Sequence, residues 1–179
     1  LRQNVAIMKL RFLLPGLVAS CLLLSPGFAA APAHAPAPAS PEALIRLVYA
    51  QHQPWFGKEI DWNDPVVAAK YFDPSLVALL KKDSDYSARM GEVGCLDGDP
   101  FLDAQDYDED GITPIEIHEV SSPRAGLWEV SFTGVSPAWK DWNVRLRYDV
   151  RKTPRGWRIY DIIWAGGTSL RDTLSCNEK

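Results

Sequence analysis

The chain has 179 residues and a formal net charge of −4, an acidic balance that argues against nucleic acid as its main ligand. The charge is unevenly held: Met90–Pro123 carries ten acids and no Lys or Arg, whereas the stretch from Arg124 onward carries ten Lys or Arg against six acids. An acidic flank of this kind steers basic partners and raises their on-rate more than their affinity.

From Met8 the sequence reads MKLRFLLPGLVASCLLLSPGFAA, a basic start (Lys9, Arg11) followed by an apolar run through Leu24. Gly27 and Ala29 fit a cleavage site, so residues 1–29 are expected to be a signal peptide and the chain to act in the periplasm or as a secreted protein. The run is shorter than the ~20 residues a spanning helix needs, and no later segment qualifies. Val18-Ala19-Ser20-Cys21 also resembles a lipobox, which would acylate Cys21 and tether the protein to a membrane, although Leu22–Leu24 continue the apolar run past it. With residues 1–29 removed, the rest is one domain's worth of chain, enough for a real core. Cys95 and Cys176 then remain as an even pair, expected to form a disulfide worth roughly 4–5 kcal/mol on the chain-entropy model.

Residues 30–40 are an Ala/Pro tether, expected to be extended and to include a solvated His34. Ser40-Pro41-Glu42 then starts a helix with Leu44, Leu47 and Val48 as its buried stripe. Asp64-Pro65 opens a short helix, and Asp73-Pro74 a longer one carrying Leu76, Leu79, Leu80 and Met90. Between the first two, Gln53–Asn63 holds Trp55, Phe56 and Trp62 in a turn-rich link expected to lid one end of the core.

The segment Asp97–Thr113 follows, with seven acids and no base. A loop this long and charged is usually functional or mobile, because its few apolar residues barely offset the entropy of ordering it. Asp106, Asp108, Asp110 and Gly111 match the start of a calcium loop. Position twelve falls on Ile117, which is no ligand, so no metal or other cofactor is expected.

Beyond it the period becomes alternating. Ile115 and Ile117 mark one strand; Trp128, Val130 and Phe132 mark another. Trp142, Val144, Leu146, Tyr148 and Val150 alternate with Asn143, Arg145, Arg147, Asp149 and Arg151. Thr153–Gly156 turns this strand back into Trp157–Trp164, and Thr168–Leu174 is expected to form a helical turn before Cys176. The fold class is α+β: three N-terminal helices packed on a curved antiparallel sheet of about four strands, in one domain over 41–179.

Three helices followed by a sheet ending in Gly156–Ile162 (GWRIYDI) is similar to the nuclear transport factor 2-like cone, a cystatin-like roll. Asp99-Pro100-Phe101-Leu102-Asp103-Ala104-Gln105-Asp106-Tyr107 resembles the signature of the exported bacterial family called domain of unknown function 3828. That resemblance implies a small periplasmic or lipid-anchored domain without an established general activity. Some similar domains are immunity proteins that neutralise antibacterial effectors.

The expected function is therefore non-enzymatic binding, with a protein of basic surface as partner and an immunity-type inhibitor of a periplasmic toxin as its specific form. The expected contact residues are Asp99, Asp103, Gln105, Asp106, Tyr107, Asp108 and Asp110. Two alternatives stand beside it. One is a small-ligand module using the cone cavity. The other is an enzyme using Asp161, which shares strand parity with Ile159 and so points inward, together with His118, which shares parity with Glu116 and Val120.

Overall fold

The computed structural model describes residues 37–53, 57–105, 116–134 and 142–176. The expected signal peptide with Cys21, tether residues 30–36 with His34, Trp55, Phe56, and the acidic residues Asp106, Tyr107, Asp108 and Asp110 lie outside the described residues.

Each of the three expected pairs, Ser40-Pro41, Asp64-Pro65 and Asp73-Pro74, starts a helix. Ser40 caps α1 (Pro41–Gln51) through its side chain on the Ala43 N–H at 3.1 Å. Asp64 caps α2 (Pro65–Ala68), and Asp73 caps α3 (Pro74–Met90). Proline at the first helical position lacks only an N–H that has no intrahelical partner. Gly91, at φ 70°, ends α3 in the left-handed conformation that glycine takes without steric cost. The buried stripe of α1 runs through Leu44, Ile45, Val48 and Tyr49, which leaves Leu47 on the flank, 38% exposed rather than buried as expected. Met90, expected in the α3 stripe, is also exposed, because α3 buries Leu76, Leu80 and Asp83 instead.

The sheet is an antiparallel meander in the order β1 (Glu116–Arg124), β2 (Leu127–Gly134), β3 (Trp142–Thr153) and β4 (Gly156–Ile163). The expected α+β class with a four-stranded antiparallel sheet is what the chain forms. Val130 faces Leu146, Phe132 faces Val144 and Tyr148 faces Ile162, so one face is continuously apolar. The outer edge of β4 is closed by chain from the α2–α3 link. Asp73 N–H donates to the Ile159 carbonyl and Ile159 N–H to the Tyr71 carbonyl, both at 2.8 Å. A short α4 (Leu170–Leu174) follows, started by a reciprocal cap between Ser169 and Asp172. Cys95 and Cys176 form the expected disulfide, with Cα atoms 6.0 Å apart.

Two register irregularities change the count of faces. In β1, Ile117 pairs with Phe132 but Glu119 with Ser131, so His118 is an extra residue and parity does not carry from Glu116 to Val120. In β4, Asp161 pairs with Asp149 but Ile159 with Val150, so the chain slips at Tyr160. Ile159 and Ile162 are both buried as a result, and Asp161 does not share the inward face of Ile159.

The hollow of the sheet is filled by side chains. Phe72 stacks on Phe101 at 5.7 Å, and Tyr49 packs on Phe132 at 5.3 Å and on Tyr148 at 6.4 Å. All five of these aromatics are buried. These rings form the aromatic part of the core on the inner face of the sheet. No helix among them is long and apolar enough to cross a membrane.

Candidate functional site

The first part of the acidic segment is not a free loop. Phe101 and Leu102 are fully buried, and the apolar surface they remove from water offsets the cost of ordering their neighbours. Asp99, an expected contact residue, goes in with them, 7% exposed. A carboxylate taken out of water has to be paired, and Asp99 is. Its Oδ2 lies 2.5 Å from Nε2 of fully buried His52, and its Oδ1 accepts the Phe101 N–H at 2.8 Å. The Nδ1 of His52 accepts the Ile60 N–H at 3.2 Å, so the ring proton sits on Nε2 and is donated to Asp99. With both ring nitrogens engaged, this pair has none left for a substrate. It is a latch that fixes the loop to the end of α1.

A second polar cluster lies beside it. Tyr49 Oη donates to the Phe101 carbonyl at 3.0 Å and, its proton used there, accepts from Tyr148 Oη at 2.8 Å. Burial pushes both phenols above their ordinary value of 10.0, with the charge of Asp99 adding to the rise.

Asp83 of α3 fixes the preceding stretch. Its carboxylate, 7% exposed, accepts the Cys95 N–H at 2.7 Å and the Leu96 N–H at 3.2 Å. Between α3, the link before α2 and this tethered segment runs a cleft of about 450 Å³. Its walls include Glu59, Asp83, Asp97, Asp99 and the half-buried Trp62, and among the described residues no Lys, Arg or His lines it. Gln105, an expected contact residue, is exposed at its rim and donates to Asp97 Oδ2 at 3.2 Å. Asp103, also expected, is exposed at φ 53°, a left-handed conformation that Asp tolerates better than most residues. Partial burial holds its carboxyl above the usual range. The arrangement is a pre-shaped, acidic recess with an aromatic wall, suited to a cation rather than an anion.

No protein-family model and no curated protein matches the chain. Two solved structures are similar to it. A protein of unknown function from Bacteroides thetaiotaomicron is 16% identical, with a TM-score of 0.41, covering 66% of this chain and 85% of that one. A phospholipid-binding protein from Ralstonia solanacearum, solved with a phospholipid, is 17% identical, with a TM-score of 0.36, covering 80% of this chain and 85% of that one.

Asp161, weighed for catalysis, does not line the cleft. Asp161 Oδ1 accepts the Ile162 N–H at 2.9 Å and the Arg171 N–H at 3.1 Å, so it holds the first turn of α4. Burial raises its carboxyl, against the lowering effect of those donors. His118 sits at the β1 bulge. Among the described residues no group of three or more His, Cys, Asp or Glu is placed to hold a metal ion. The sequence reading missed Asp83; it placed Trp62 only in a lidding link and weighed His52 only as a catalytic partner at the end of α1, not as a structural one. The signal for His52 was its place directly after α1; the signal for the buried loop was the Phe101-Leu102 pair among the acids.

Proposed function

We propose that this chain is an exported, non-enzymatic binding domain of nuclear transport factor 2-like type that docks a basic segment of another protein in the cleft between α3 and Cys95–Gln105. The observation that carries this reading is a recess of about 450 Å³ walled by Glu59, Asp83, Asp97 and Asp99 beside Trp62, with no basic residue among the described residues of its lining. A Lys or Arg side chain entering it gains the carboxylates and the indole face together. The latch, the disulfide and Asp83 support the reading, because a loop ordered in advance loses less entropy on binding. The specific form suggested by the resemblance of Asp99–Tyr107 is an immunity-type inhibitor that occludes a periplasmic toxin.

The test is capture of partners from periplasmic and secreted proteins on the immobilised, oxidised protein. A stoichiometric basic protein is expected, with an association rate about ten-fold lower for Asp97→Asn/Asp103→Asn and strongly reduced in 0.5 M salt. A captured protein indifferent to both changes contradicts the reading.

A further inference from the structure

The opposite end of α1 from the latch carries the opposite charge. There β3 turns into β4 through Thr153–Gly156, with Lys152 and Arg155 exposed. Arg158 is half-buried, its Nε donating to the Ala69 carbonyl at 2.9 Å, next to exposed Lys70. Among the described residues no carboxylate forms an ion pair with Lys152, Arg155 or Arg158. Acids on the neighbouring elements are already taken: Glu42 by Arg46 at 2.9 Å and Asp149 by Arg151 at 2.8 Å. Burial and the nearby Arg155 both lower the pKa of Arg158, which is what crowded, unneutralised cations do.

Trp157 stands among these charges, its ring 5.7 Å from the Lys152 ammonium and its Nε1 donating to the Ala39 carbonyl at 3.2 Å. The chain therefore enters the fold at this tip. Ala37 passes close to Gly156, where a side chain's first carbon would stand 3.1 Å from the Ala37 methyl. Upstream lie the Ala/Pro stretch and the apolar run ending at Leu24.

We propose that the tip of the β3–β4 hairpin seats on an anionic phospholipid surface, with Lys70, Lys152 and Arg155 against the headgroups and Trp157 at the interface. Basic residues beside a tryptophan are the combination that headgroup regions hold, the charges by attraction and the indole by its mixed polarity. The acidic cleft does not cancel the attraction. α1 separates the two ends by about 16 Å, twice the screening length of roughly 8 Å at physiological salt. Seated this way, the domain turns its cleft away from the bilayer. This inference is independent of what the cleft binds.

Vesicle sedimentation with the full chain tests it, comparing pure phosphatidylcholine with phosphatidylcholine containing phosphatidylglycerol. Any apolar N-terminal contribution is common to both vesicles, so the readout is the preference for the anionic ones. Wild-type protein is expected to prefer them, and Lys152→Gln/Arg155→Gln to weaken that binding about 25-fold, roughly five-fold per charge. Lys81→Gln/Lys82→Gln on α3 changes net charge equally and is expected to stay within about two-fold of wild type. Circular dichroism of both variants checks that each is folded. No preference for anionic vesicles, equal losses in the two variants, or an acidic protein held by the tip in place of vesicles would overturn the proposal.

Discussion

At the scale of single residues, the His52–Asp99 latch is the most consequential contact, because each partner's burial is tolerable only through the other. Asp99→Ala leaves a buried N–H without an acceptor and frees the Phe101 N–H as well. A loss of about 3 kcal/mol is expected in urea unfolding. His52→Ala should cost a similar amount, and the double variant less than the sum by at least about 1 kcal/mol. Strict additivity would show that the two do not act as a unit. The tyrosine pair makes a pH prediction. Burial raises both phenols above 10.0, so the folded state holds their protons more tightly than the unfolded state does. Their contribution is complete below pH 10 and is lost as pH rises above it. Alkaline unfolding should therefore steepen above pH 10, and less so in Tyr148→Phe, as followed by tyrosinate absorbance. An alkaline unfolding profile of Tyr148→Phe that matches wild type would contradict this.

At the scale of elements, the helices were legible because a capping oxygen followed by proline is a local signal, and Ser40-Pro41, Asp64-Pro65 and Asp73-Pro74 each start a helix. The alternation of β3 was legible for the same reason. The positions of Asp161 and His118 were not, since one extra residue at Tyr160 and another at His118 reverse the count of faces without any mark in the residue types. The buried loop was hidden differently: charge dominates Asp97–Asp110 and masks the Phe101-Leu102 pair, and the partner that lets Asp99 go inside, His52, is distant in sequence. Close packing at the root of this loop gives a sharp test. A methyl group on Gly94 would stand 2.6 Å from Asp83 Oδ1, and that carboxylate cannot retreat without releasing Cys95 and Leu96. Gly94→Ala should cost about 2–3 kcal/mol by overpacking, read as a lower thermal midpoint. Gly166→Ala, with open space around it, is the control.

At the scale of the whole molecule, charge is sorted by position along α1, acids at its C-terminal end and uncompensated bases at its N-terminal end. Gathering like charges costs stability, and a site kept for binding is where such a cost is tolerated. Asp103 carries a separate cost, that of desolvation. Its carboxyl is held above the usual range by partial burial, so its ionised form at neutral pH disfavours the folded state. Asp103→Asn removes that charge while keeping a side chain suited to φ 53°, and Asp97→Asn still accepts from Gln105. The double variant should be more stable than wild type by about 0.5 kcal/mol at pH 7 in low salt, the size of an exposed charge effect. That gain should shrink as salt screens the charge carried by wild type, and as falling pH protonates Asp103. Thermal unfolding at two salt concentrations and two pH values measures it. A variant that is less stable at pH 7 would mean that these carboxylates hold the loop, as Asp99 does, and the cleft would then have to be read as structure rather than as a place for a partner.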